Sequence, residues 1–251
     1  PAMDDGIFNP DLYLERLERS IIESVPAPVA VIVSFPSNPT AQVVSLEFYE
    51  EVVKIALKYN VYILSDLAYA EIYYDNSPPP SILQIPKAKE VAVEFTSMSK
   101  TYAMAGWRIG FAVGNIRLIN ALTRIKSYLD YGAFTPVQVA AAAALNGPQD
   151  CVQEIRSTYQ KRRDVLINSM ARAGWNIPSP KASMFAWAPL PDKYKDKGSL
   201  EFAKELMLKA DVAVSPGVAF GEFGEGFVRV GLVENEQRIR QAAKNIKKLL
   251  Q

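Results

Sequence analysis

Apolar residues recur along this chain in two rhythms. Four short runs are nearly continuous and rich in β-branched or aromatic side chains: Val29 to Phe35 (VAVIVSF), Val61 to Asp66 (VYILSD), Val91 to Thr96 (VAVEFT) and Ile109 to Gly114 (IGFAVG). Unbroken apolarity over that length is what strands buried on both faces of a parallel sheet require. Between the runs the spacing lengthens to that of helices. Asn9-Pro10 opens one helix, with proline at its first position, and Ser45 caps another on which Leu46, Tyr49, Val52, Val53, Ala56 and Leu57 share a face. Strand–helix–strand alternation of this kind predicts an α/β layer with a mostly parallel sheet.

After Gly114 the pattern changes. Helical spacing covers Ile116–Leu129, Pro136–Leu145 and a long stretch from Gln149 to about Ala173, which Gly174 ends. Strand-like Met184–Trp187 and Val228–Leu232 then mix with helices near Ser199–Lys209 and Glu236–Leu250. The expected organisation is a larger domain over residues 1–148, a connecting helix over 149–173 and a smaller α+β domain over 174–251. The alanine-rich Val137–Leu145 reads as a packed helix, far short of the roughly 20 apolar residues a membrane span needs. Ser77-Pro78-Pro79-Pro80 reads as a stiff surface turn.

Composition narrows the chemistry. Of the 251 residues, 49% are hydrophobic and 22% charged, as in an ordinary globular protein, and a formal charge of +1 leaves no nucleic-acid footprint. The single cysteine, Cys151, has no partner for an internal disulfide, which fits a reducing cytoplasm, and reads as a small buried apolar residue. The chain has no histidine. That excludes Ser-His-Asp and Cys-His sites and His-ligated metals, so acid–base work falls to Lys, Tyr, Asp, Glu or a cofactor.

Four motifs sit where ligands of open α/β sheets collect, at strand ends. Ser37-Asn38-Pro39-Thr40 follows the first run, Asp66-Leu67-Ala68-Tyr69 ends the second, Ser97-Met98-Ser99-Lys100 follows the third, and Gly106-Trp107-Arg108 enters the fourth. Singly, each has a plain structural explanation: Asn-Pro as a turn, Asp66 as a helix cap, Lys100 as a solvated amine, Arg108 as a surface ion pair. Their order and spacing together resemble the fold-type I, class I and II pyridoxal-phosphate aminotransferases, over essentially the whole chain.

The resemblance implies a role for each residue. Lys100 would be the catalytic lysine that holds pyridoxal 5′-phosphate as a Schiff base and then moves the proton. Asp66 would keep the pyridine nitrogen protonated, while Tyr69 and Asn38 would bond its phenolic oxygen. Ser97, Ser99 and Arg108 would grip the phosphate. Arg229, in Phe227-Val228-Arg229-Val230-Gly231, matches the family's position for binding the substrate carboxylate, with Asn38 supporting it. A clamp with one jaw in each domain would favour closure. The implied partners are an amino acid, a 2-oxo acid and a second subunit in a cytoplasmic homodimer, with no metal, nucleic acid or membrane.

Among subgroups, Asn-Pro-Thr-Ala-Gln, Asp66-Leu67-Ala68-Tyr69-Ala70 and Lys181-Ala182-Ser183-Met184-Phe185 are most similar to bacterial glutamate–pyruvate (alanine) aminotransferases. LL-Diaminopimelate and aspartate aminotransferases are near alternatives, followed by a β-lyase of the same fold and a non-catalytic sensor domain. Two departures stand out. Ala41 replaces the glycine usual after Asn-Pro-Thr, which implies an altered turn or a negative φ. Family members also carry, upstream of the match to Pro1, an arm, a glycine-containing phosphate loop and a ring-stacking aromatic. The expectation is therefore the C-terminal part of an aminotransferase, with an open apolar sheet edge and weak cofactor binding by this piece alone.

Overall fold

A computed structural model, which describes residues 2–4 and 7–251, divides the chain into two units. One comprises Pro1–Pro36 and Val43–Ile155, the other Ser37–Gln42 and Arg156–Gln251. The first unit begins with a small hairpin, β1 (Met3–Asp4) against β2 (Ile7–Phe8), and helix α1 (Pro10–Glu23), whose first turn is closed by Asn9 accepting from the Leu12 N–H at 3.0 Å. Strand β3 (Ala30–Ser34) leads to α2 (Leu46–Tyr59), capped by the Ser45 hydroxyl and ended by Asn60 at φ 53°. Then come β4 (Tyr62–Asp66), the one-turn α3 (Ala88–Val91), β5 (Ala92–Ser97), the one-turn α4 (Met98–Thr101) and β6 (Gly110–Gly114). Helices α5 (Ile116–Leu129) and α6 (Thr135–Asn146) follow, and α7 (Asp150–Ala173) starts here before continuing into the second unit.

The strands pair in the order β3-β4-β5-β6, with the first three parallel and β6 antiparallel. The expected mostly parallel α/β sheet is therefore present. The reversal at β6 goes with a shorter connection: residues 98–109 between β5 and β6 turn straight back, whereas the longer stretch 67–91 carries the chain from β4 round to a parallel β5. Glycine lets the two strands approach. A Cβ at Gly110 would lie 2.5 Å from the Thr96 carbonyl oxygen, and one at Gly114 2.3 Å from that of Ala92.

The apolar face of α2 (Phe48, Tyr49, Val52, Val53, Ala56) packs with Val33, Phe35, Ile63 and Ile82 in one core. Phe8, Tyr13, Phe35 and Phe48 add an aromatic cluster of tilted and edge-to-face rings with centroids 5.3–6.1 Å apart. Burial at α5 and α6 runs against expectation. Helix α6 is no packed helix, since Ala141 is its only buried residue, and α5 has none. Their periodic apolar residues instead face outward, including Ile116, Leu129 and Val139. Cys151 is likewise exposed and not buried, because the inward position at the start of α7 is taken by Val152. No helix among the described residues is long and apolar enough to cross a membrane.

The second unit carries a three-stranded antiparallel sheet in the order β7 (Phe185–Pro189), β9 (Phe227–Gly231), β8 (Ser215–Pro216). Helices α8 (Gly198–Ala210) and α9 (Glu236–Leu250) complete it. Its core includes Met170, Trp175, Phe202, Leu206, Val228 and Ile246, and the Trp175 indole donates to the Pro189 carbonyl at 2.7 Å.

Candidate active site

The parallel register in the first unit sets Ser34, Asp66 and Phe95 side by side at the carboxyl ends of β3, β4 and β5. Asp66 is exposed there but held at a fixed angle. Its Oδ1 accepts from the Ala68 N–H at 3.1 Å and its Oδ2 from the Ser34 hydroxyl at 3.3 Å, while Leu67 N–H donates to the Phe95 carbonyl at 2.9 Å. Ser34 was not singled out by sequence; the signal for it is the register, which pairs two strand ends far apart in the chain. Tyr69, three residues on, is buried within the turn.

One strand over, Ser97 closes β5 and caps α4, its hydroxyl accepting from the Ser99 N–H at 3.1 Å. Met98 buries its side chain and roots the turn, leaving Lys100 half-exposed. Arg108 is joined to this turn through the backbone. The Met98 N–H donates to the Ile109 carbonyl at 3.2 Å, and Ser97 pairs with Gly110 across β5 and β6. Arg108 itself takes a left-handed conformation (φ 53°) after the short turn Ala105–Trp107 and donates to the Ala105 carbonyl at 3.0 Å. Asp66, Tyr69, Ser97, Ser99, Lys100 and Arg108 thus lie at the ends of neighbouring strands within one unit. They comprise a primary amine, a restrained carboxylate, a phenol, two hydroxyls and a guanidinium.

Asn38 and Arg229 meet in the other unit. Arg229 sits on the central strand β9, opposite Trp187 on one side and Ser215 on the other. Its Nη1 donates to Asn38 Oδ1 at 2.7 Å and its Nη2 to the Ser215 hydroxyl at 3.2 Å. Asn38 is presented by a closed loop, in which the Ala41 N–H donates to the Ser37 carbonyl at 3.0 Å and the Gln42 N–H to the Ser37 hydroxyl at 2.9 Å. Ala41 within it has φ +54° and is buried. The expectation of a negative φ there is overturned: the loop keeps a glycine-like left-handed position and places alanine in it, because the two bonds to Ser37 fix the turn.

Residues 9–246 match the family described as aminotransferase class I and II, and the chain belongs to that family. It is 58% identical over 247 residues to the Rhizobium meliloti (strain 1021) protein bearing the name aminotransferase AatC, covering 98% of this chain and 60% of that one. It is 57% identical over 235 residues to glutamate-pyruvate aminotransferase AlaC of Escherichia coli (strain K12), covering 94% and 57%. Among solved structures, it superposes on a Thermus thermophilus chain described as a probable N-succinyldiaminopimelate aminotransferase, with TM-score 0.85 and 32% identity, over 99% of this chain and 64% of that one. The chain spans about three fifths of the length of the two curated relatives.

Proposed function

We propose that the whole protein is a pyridoxal-phosphate-dependent aminotransferase that exchanges an amino group between alanine and 2-oxoglutarate, with Lys100 as its catalytic lysine. The observation that carries this reading is the backbone bond from Met98 to Ile109, which sets the Ser97–Lys100 turn against the Arg108 segment beside Asp66's strand. That donor set fits the cofactor: an amine for its aldehyde, a guanidinium and two hydroxyls for its phosphate, a carboxylate for its ring nitrogen. When bound, pyridoxal phosphate supplies the aldehyde and the electron sink. Lys100 would carry the proton away from the substrate Cα. Asp66, restrained by Ser34 and Ala68, would hold the proton on the ring nitrogen. Tyr69 and Asn38 would donate to the phenolic oxygen, and Ser97, Ser99 and Arg108 would hold the phosphate. Arg229, with Asn38 as its partner, binds the substrate's carboxylate as a planar fork.

Likeness to AlaC supports alanine and glutamate as the amino acids. The same reading makes the protein a cytoplasmic homodimer, in which residues 1–148 contribute to the cofactor-binding domain, 149–173 form the connecting helix and 174–251 the small domain. The test is an absorbance spectrum of the whole protein with pyridoxal phosphate, before and after L-alanine. A visible lysine-linked band that L-alanine shifts and that Lys100→Ala abolishes is expected; a band that survives Lys100→Ala would sink the assignment.

A further inference from the structure

The guanidinium of Arg229 is flanked by two rings. Its Cζ lies 4.2 Å from the centroid of Phe185 and 4.7 Å from that of Phe220. We propose that Phe185 and Phe220 are positioning residues, two aromatic faces that hold the Arg229 fork in the plane from which it receives a substrate carboxylate. This deepens, and rests on, the reading of Arg229 as the carboxylate ligand. Hydrogen bonds to Asn38 and Ser215 fix two edges of the fork. They leave rotation about the line between those bonds as the soft motion, and the two rings packed within 4.2 and 4.7 Å of the guanidinium carbon resist it.

The rings are themselves braced. Phe220 packs edge-on against Trp187 (5.9 Å, 76°), which is buried and stacks on Phe227 (5.3 Å, 12°). Phe220 rides on a tight loop that only glycine permits: a Cβ at Gly217 would lie 1.8 Å from the Gly224 carbonyl oxygen, and one at Gly224 2.1 Å from that of Gly217. The base of the loop is tied by Ser199, whose hydroxyl accepts from the Val218 N–H at 3.2 Å and donates to the Glu225 carboxylate at 2.9 Å. Ring placement is therefore built in from α8 outward. The aromatic positions matter as π faces and not as bulk, so leucine, similar in hydrophobicity, cannot replace them.

Two measurements on the whole protein test this. In the unliganded protein, the Arg229 side-chain Nε–H resonance, assigned by its loss in Arg229→Lys, is expected to carry an upfield ring-current shift. Phe220→Leu and Phe185→Leu should each reduce that shift, and Phe220→Tyr should keep it. In steady-state transamination, each leucine variant should raise KM for alanine about five-fold, the worth of one exposed cation–π contact, with kcat nearly unchanged as for lost uniform binding. Phe220→Tyr should restore KM. An unshifted resonance in the parent protein, or equal KM for the tyrosine and leucine variants, overturns the proposal. A shifted resonance in a protein without transaminase activity leaves the ring contacts but removes the carboxylate role of Arg229, and so separates failure of the functional reading from failure of the ring contacts.

Discussion

Asp66 shows how a single side chain is prepared for its task. In the role proposed for Asp66, facing a ring nitrogen, a carboxylate would lose less on binding if its rotamer were already set, and the Ala68 N–H and Ser34 hydroxyl set it. Asp66→Ala is expected to lower kcat/KM of the whole enzyme by about 10²-fold, the scale of one charge-assisted hydrogen bond. Lys100→Ala should lower it by about 10³-fold or more, as for loss of the proton-transferring group. Steady-state kinetics at saturating cofactor would check both; near-parental activity in Lys100→Ala contradicts the proposed role. Ala41 offers a different balance. Its left-handed backbone costs about 1–2 kcal/mol, which glycine would relieve, but glycine also loses about 0.4–1 kcal/mol of unfolded-state entropy advantage and a buried methyl group worth about 0.8 kcal/mol. These nearly cancel, so Ala41→Gly should shift stability by less than about 1 kcal/mol, whereas the β-branched Ala41→Val should destabilise clearly. Urea midpoints for the two variants decide it; equal midpoints would refute the strain argument.

At the scale of elements, two carboxylates, Glu94 buried and Glu225 exposed, tie turns to secondary structure. Glu94, buried on β5, accepts from the Ser81 hydroxyl at 2.6 Å, the Ile82 N–H at 3.0 Å and the Ser65 hydroxyl at 3.3 Å. Burial, with the Glu94 charge nearby, pushes the Tyr49 phenol well up from its ordinary value. Glu94→Leu strands three donors and should cost about 3 kcal/mol or more, while Glu94→Gln, which keeps an acceptor, should cost less; chemical unfolding that ranks them otherwise would refute the network. Glu225 does the same for the loop that carries Phe220. Partial burial pushes its carboxyl up, but bonds from the Gly226 and Ser199 N–H groups and the Ser199 hydroxyl outweigh that and hold it below its ordinary value of 4.5. A depressed carboxylate adds stability above its unfolded pKa and loses it as pH falls through the folded one. The melting temperature of the parent protein should therefore fall below pH 4.5 more steeply than that of Glu225→Gln; parallel pH profiles would remove Glu225 from the account. Neither carboxylate stands out in the sequence, because Glu94 acts through Ser65, Ser81 and Ile82 and Glu225 through Ser199, all more than ten residues away. Helix ends were far more legible: Asn9 and Ser45 cap where local chemistry predicts, and α5 and α9 keep their predicted bounds of Ile116–Leu129 and Glu236–Leu250.

For the whole chain, what the sequence made readable was periodicity, and what it hid was the direction in which each apolar face points. The motif residues at strand ends could be placed because strand order and alternation dictate where loops gather. Phe185, Phe220 and Ser215 could not, since their bearing on Arg229 comes from sheet register and one glycine-bound loop. The same limit applies to α5, whose helical spacing was plain but whose Ile116, Ile125, Tyr128 and Leu129 are all more than half exposed. Edge strand β6 adds Phe111 and Val113, 40% and 46% exposed. Apolar side chains gathered on adjacent elements at such exposure favour association. The 251-residue chain by itself should accordingly self-associate at concentrations on the order of 100 μM. Ile125→Glu with Leu129→Lys touches no buried residue of α5 and adds a favourable i,i+4 pair, so it should leave the fold intact and reduce the association. Sedimentation velocity of both proteins, with circular dichroism to confirm equal helix content, is the measurement; a parent chain that stays monomeric, or a double variant that associates equally, would place the sticky surface elsewhere.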